Sequence, residues 1–180
     1  LKEKKTSVLM YPEASYSFDG TATTLPRKFG VLLKKFDVPV VIIETRELFL
    51  RNPLYNELQI RKDANAKARA YLLFSQEDVR TKSVKELSDG VDAAFGFDHF
   101  KWQKENEVRI KETFRADYLD RALYKCPHCK SEGSMLGKGV TLRCNNCGVE
   151  YNMDELGSIS ATNAESAFTH IPDWYAWQRK

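Results

Sequence analysis

The chain has no long apolar run: its longest, Val38 to Ile43, is far short of the roughly 20 residues needed to span a bilayer. No basic, apolar and small-residue signal peptide opens it. There is no internal repeat and no low-complexity tract, which excludes solenoids and compositionally disordered chains. Excess charge is also missing. A net charge of +3 over 180 residues and a pI near 8.6 permit contact with an anionic surface but demand none. Histidine and cysteine are scarce, with three and four copies. What is present is a 42% hydrophobic share with ten Phe, eight Tyr and three Trp, enough for a packed core. These features describe one ordinary domain with a small appendage, soluble and intracellular. Leu1 opens the chain within the basic stretch Lys2-Glu3-Lys4-Lys5, which reads as the middle of a longer protein.

Local patterns predict an α/β chain. Ser7 to Tyr11 reads as a short buried strand stopped by Pro12, and the small-residue stretch Glu13 to Thr24 reads as a loop. Beyond Pro26, the residues Phe29, Leu32, Leu33 and Phe36 form the apolar stripe of a helix. Val38 to Glu44 has the near-continuous apolarity of a strand buried on both faces. Strand, loop, helix and strand within about 40 residues is the pattern of a mostly parallel sheet with flanking helices. Alternation at Ala66, Ala68, Ala70, Leu72 and Phe74 predicts another strand. Ser83 and Glu86 form a capping box ahead of a helical stripe from Val84 to Phe95. Helix is expected again over 97–106 and 118–123.

The four cysteines are Cys126, Cys129, Cys144 and Cys147, a Cys-x2-Cys-x14-Cys-x2-Cys array. Each Cys-x2-Cys turn aims two sulfurs at one centre, and two such turns complete the tetrahedron that zinc prefers with thiolates. The spacer carries Gly133, Gly137 and Gly139 and then Val140-Thr141-Leu142, which suits a hairpin returning the second pair. One structural zinc ion in a small β-type ribbon is therefore expected. Four thiolates leave no open position for catalysis and no place for His128. Two disulfides in a secreted chain, or an iron–sulfur cluster, fit the spacing and context less well. Lys130, Lys138 and Arg143 against Glu132 make a weak footprint for nucleic acid. The expected organisation is a sheet domain over 1–123, a ribbon over 124–152 and a tail with a short aromatic helix over 153–180. Trp174, Tyr175 and Trp177 are expected to pack back on the domain rather than enter a membrane interface.

The segment Met10-Tyr11-Pro12-Glu13-Ala14-Ser15-Tyr16-Ser17 would put a carboxylate at the end of a strand, the usual ligand edge of open α/β sheets. A surface glutamate at a turn is an equally good reading of those residues. The segment resembles the third block, Phe-Pro-Glu-Gly-Thr-Arg-Ser, of the glycerol-phosphate acyltransferase family. Val38-Pro39-Val40-Val41-Ile42 resembles that family's fourth block. Tyr124-Lys-Cys-Pro-His-Cys129 and Ile171-Pro-Asp-Trp-Tyr-Ala-Trp-Gln178 are similar to the ribbon and aromatic tail of a bacterial subgroup.

The resemblance implies transfer of a fatty acyl group from a thioester donor (acyl-CoA or acyl carrier protein) to a hydroxyl of a glycerolipid acceptor such as 1-acyl-glycerol-3-phosphate. It implies a cytoplasmic protein with peripheral contact at the inner membrane face. Carried over, Glu13, Ser15 and Ser17 would contact the acceptor, and Pro39 would shape the acyl pocket. Two departures stand out. Tyr16 replaces the arginine that grips phosphate, and a phenol lacks its charge-assisted bidentate contact; Arg27 or Lys28 could substitute. The family's His-x4-Asp pair is also missing: the positions at that spacing from His99, His128 and His170 hold Lys104, Gly133 and Tyr175. No catalytic residue is therefore assigned within this chain. The missing blocks are expected upstream, and the chain as given should be inert. The rival reading is a zinc-ribbon module binding nucleic acid or protein without catalysis, and a third is a lipid-binding pseudoenzyme.

Overall fold

The computed structural model describes residues 6–26 and 28–180, and the chain divides into two compact units. The first comprises residues up to Tyr16, Ala22–Thr45 and Ala68–Phe97. The second comprises Ser17–Thr21, Arg46–Lys67 and Asp98–Lys180.

In the first unit, helix α1 (Phe29–Phe36) packs on helix α4 (Val84–Phe95). Leu33, Leu87 and Val91 are buried between them with Leu25, Phe74 and Val79. The helices meet at Gly30, where a Cβ would lie 2.2 Å from the Val84 carbonyl oxygen. The Gly30 amide donates to Ser88 Oγ at 3.1 Å. The capping box at Ser83 is formed: the Glu86 amide donates to Ser83 Oγ at 3.2 Å, and the Ser83 amide donates to Glu86 Oε2 at 2.8 Å. A second box, Ser75 with Asp78, starts helix α3 (Gln76–Thr81). Asp37 ends α1 in the left-handed region at φ 48° and receives Arg80 through two contacts, 2.7 and 3.1 Å.

The sheet of this region departs from expectation. It has two strands, β1 (Val40–Arg46) and β2 (Lys67–Phe74). Glu44 meets Arg69 at 2.5 Å and Glu47 meets Lys67 at 3.6 Å, a pairing that places the strands antiparallel. The mostly parallel sheet is not formed, for two reasons. Ser7 to Tyr11 makes no strand, and Val8, Leu9 and Tyr11 stand 53, 66 and 80% exposed. The connection from β1 to β2 supplies no crossover helix either. It holds only the four-residue helix α2 (Leu48–Arg51) and a 3-10 turn (Leu54–Asn56), and its Leu50 and Tyr55 are buried in the second unit's cores. Without a crossover, neighbouring strands return antiparallel. Strand β1 is covered on one face only: Ile42 is buried while Val41 and Ile43 are exposed.

The second unit is built on a four-stranded antiparallel sheet in the order β3 (Met135–Lys138), β4 (Thr141–Cys144), β5 (Glu150–Met153), β6 (Ile159–Ala161). Leu142 sits opposite Gly137 on one side and Tyr151 on the other. This sheet, helix α5 (His99–Glu105) and helix α6 (Ile171–Gln178) share a core with Tyr55, Phe100, Leu119 and Leu123. The 118–123 helix is realised as a 3-10 turn, Leu119–Arg121. Arg61 is buried in this unit, its guanidinium donating to Tyr55 Oη (2.7 Å), Asn56 Oδ1 (3.2 Å) and the Arg115 carbonyl (2.9 Å). Among the described residues, no helix is long and apolar enough to cross a membrane.

Candidate metal centre

Two similar turns build the site. In the first, the Lys130 amide donates to the Cys126 carbonyl at 2.9 Å, and Lys130 turns the chain at φ 64°. In the second, the Gly148 amide donates to the Cys144 carbonyl at 2.9 Å, with Gly148 at φ 75°. Both turns thus need a left-handed residue four positions after their first cysteine. The β3–β4 hairpin brings the two turns together.

The four sulfurs all lie within 4.8 Å of one another. Cys126 and Cys147 Sγ are 3.8 Å apart, and Cys129 and Cys144 Sγ are 3.7 Å apart. A metal–sulfur bond of about 2.3 Å in a regular tetrahedron requires sulfur–sulfur edges of about 3.8 Å. The donor set therefore fits one ion. The same separations are nearly twice the ~2.05 Å of a disulfide, and all four cysteines are free.

The surroundings differentiate the thiols. Burial pushes Cys126 up to about 12. The Asn146 amide and the Ser131 hydroxyl hold Cys129 down to about 5; they lie 3.4 and 3.1 Å from its sulfur. Cys126 and Cys144 are buried, Cys129 is half-buried and Cys147 is exposed. His128 is exposed and outside the cluster. The neighbouring cations are engaged: Lys125 with Glu132 at 3.1 Å, Arg143 with Glu150 at 3.7 Å, and Lys130 Nζ with the Pro127 carbonyl at 2.6 Å.

The residues expected to touch substrate are distributed as follows. In the first unit, Glu13 is half-buried and its Oε1 accepts from the Thr23 amide at 3.2 Å. A cavity of about 350 Å³ lies beside Thr23, lined by Ala22, Thr24, Leu25, Asp92 and Phe95. Ser15 and Tyr16 are exposed, as is Pro39 ahead of β1. Ser17 belongs to the second unit, donating to Asp19 Oδ1 at 3.2 Å and accepting from the Gly20 amide at 2.8 Å. Arg27 and the Lys2–Lys5 stretch lie outside the described residues.

One histidine–carboxylate cluster escaped the sequence. His170 precedes α6 as its N-cap residue. Its Nε2 lies 3.1 Å from Asp98 Oδ2 and its Nδ1 lies 3.2 Å from Asp173 Oδ2. A general base needs a free nitrogen to take a proton from a hydroxyl, and here both face carboxylates. The cluster sits where two helices begin, Asp98 at the N-cap of α5 and His170 at that of α6. Asp173 at the third position after His170 is a local signal, whereas Asp98 is brought in by the fold alone. His99, next to Asp98, is stacked on Phe49 at 5.2 Å. Burial, with Arg46 adding to it, lowers its pKa to about 4.

No protein-family model, curated protein or solved structure matches this chain.

Proposed function

We propose that the chain is the zinc-braced, acceptor-binding part of an O-acyltransferase acting on a glycerolipid-like hydroxyl, with an acyl thioester as donor. The reading rests on the resemblance of the Glu13 and Pro39 segments to acyltransferase blocks. The observation that supports it best is the order and setting of those segments. Glu13 lies in a loop beside a small cavity, α1 follows the loop, and Pro39 leads directly into β1. Glu13 and Ser15, with Tyr16 in place of the expected arginine, would meet the acceptor, and Pro39 would border the acyl chain. The chain supplies no base for the transfer, since its His-x4-Asp positions are empty and both nitrogens of His170 lie against carboxylates, at 3.1 and 3.2 Å. By itself it binds lipid and does not turn over.

The ion held by Cys126, Cys129, Cys144 and Cys147 is zinc in this reading. Zinc takes four thiolates tetrahedrally and is redox-inert, so it braces a hairpin too small to bury its own core. The competing nucleic-acid module is disfavoured by the pairing of Lys125 and Arg143 with glutamates.

Calorimetric titration of the chain with 1-acyl-glycerol-3-phosphate and with a long-chain acyl-CoA tests the lipid reading. Saturable binding of the acceptor, weakened about tenfold by Glu13→Ala, is the expected result. Absence of binding to both ligands, together with retention on a polyanion column that falls steeply with salt, would transfer the assignment to the ribbon module.

A further inference from the structure

The closing helix α6 is fastened to the residues that flank the first cysteine pair. Lys125, immediately before Cys126, engages it three times. Its amide donates to Gln178 Oε1 at 3.3 Å, and its carbonyl accepts from Trp174 Nε1 at 2.9 Å. Its ammonium lies 5.6 Å from the centre of the Trp177 ring. Lys130, immediately after Cys129, brings a second ammonium to the same ring at 4.8 Å. Gln178 Nε2 donates to the Ala122 carbonyl, and Tyr124 Oη donates to the Gln178 carbonyl at 3.4 Å. Trp174 and Ile171 are buried in the same core as Cys126 and Cys144.

Lys130 holds its place at φ 64°, a left-handed region that disfavours a side-chain-bearing residue. Bonding Cys126 and Cys129 to one ion fixes that turn. With the thiolates released, both lysines lose the geometry that places them on Trp177, and the Lys125 backbone loses its register with Trp174 and Gln178.

We infer that α6 is a metal-dependent strap: filling the four-cysteine centre docks the helix, and emptying it frees the helix and uncovers Trp174 and Ile171. This rests on the metal reading above. Coupling between sites is reciprocal, so loosening α6 must weaken metal binding by the factor with which metal strengthens docking. Gln178→Ala removes two hydrogen bonds to the ribbon's entry segment. It should lower zinc affinity roughly tenfold.

The experiment combines zinc content of the full chain, competition with a chromogenic chelator, and amide exchange over 171–178, with and without chelation. One zinc per chain, faster exchange in α6 on chelation and a roughly tenfold affinity loss in Gln178→Ala are expected. Arg179→Ala, just past the helix and stacked on Tyr175 at 5.3 Å, should leave affinity unchanged. A chain that takes up no metal overturns both readings. Metal that binds and leaves while exchange in α6 and the affinity of Gln178→Ala stay at wild-type values overturns the strap alone.

Discussion

Gly137 on β3 gives the sharpest test of how the ribbon is seated within its unit. A Cβ there would meet the Ala116 carbonyl oxygen at 2.4 Å and the Leu119 nitrogen at 2.6 Å. Both are backbone atoms that cannot swing aside as a side-chain tip can. Real Cβ contacts essentially never fall below 3.0 Å, so the 116–119 turn must withdraw by at least about 0.6 Å, the gap between 2.4 and 3.0 Å. That movement strains the bonds crossing the seam. The Gly137 amide donates to Asp120 Oδ1 at 2.7 Å, the Tyr118 amide to the Gly137 carbonyl at 3.1 Å, and the Ala116 amide to the Gly139 carbonyl at 2.8 Å. Overpacking of this kind costs about 1–3 kcal/mol, and one lost hydrogen bond adds about 1 kcal/mol. Gly137→Ala should therefore lower stability by about 2–4 kcal/mol in urea melts at constant slope. Gly133→Ala is the control, because nothing lies within 4 Å of its Cβ position while its φ is +70°. It should cost only the left-handed penalty, about 1 kcal/mol. A Gly137→Ala loss no larger than that of Gly133→Ala would refute the close seating of β3 on the turn.

Other outcomes follow from the same contacts. His99 is held at about 4 in the fold, against about 6.5 for a free histidine. The unfolded chain therefore binds the proton first on acidification. Stability is full above about pH 6.5 and falls by about 3 kcal/mol as pH approaches 4; His99→Gln should flatten melts over that window, and an unchanged slope would contradict the burial. In metal-free protein, iodoacetamide at neutral pH should modify Cys129, whose thiolate is held down to about 5, before Cys126, which is pushed up to about 12. Peptide mass mapping showing Cys126 first would contradict those environments. Cys147→Ser removes the exposed ligand and should abolish stoichiometric zinc retention; one zinc per chain in that variant would argue against four-thiolate binding.

The four-cysteine cluster was legible in the sequence because its geometry is local. A Cys-x2-Cys turn sets two sulfurs within a few residues, and the glycine-rich spacer returns the second pair. Helices were legible for a similar reason. The stripe from Phe29 to Phe36 and the Ser83–Glu86 box are short-range signals, and each produced its helix, burying Leu33 in the first and Leu87 and Val91 in the second while Val84 stays exposed. The tail aromatics also packed inward, with Trp174 fully buried. Asp117 and Asp120, which hold the amides of Gly139 and Gly137, carry no such signal, and neither does the Asp98–His170 contact, because each depends on distant segments meeting.

What the sequence could not determine was strand direction and coverage. Alternating or continuous apolarity shows that a segment can be a strand, yet it contains no information on which neighbour it pairs with. Val38 to Glu44 looked two-sided and became a strand with Val41 and Ile43 exposed. Ser7 to Tyr11 looked buried and paired with nothing among the described residues. The tertiary structure decided these because the 47–66 connection buried its own Leu50 and Tyr55 elsewhere. It was not free to lie across the sheet as a crossover, and β2 returned beside β1 antiparallel.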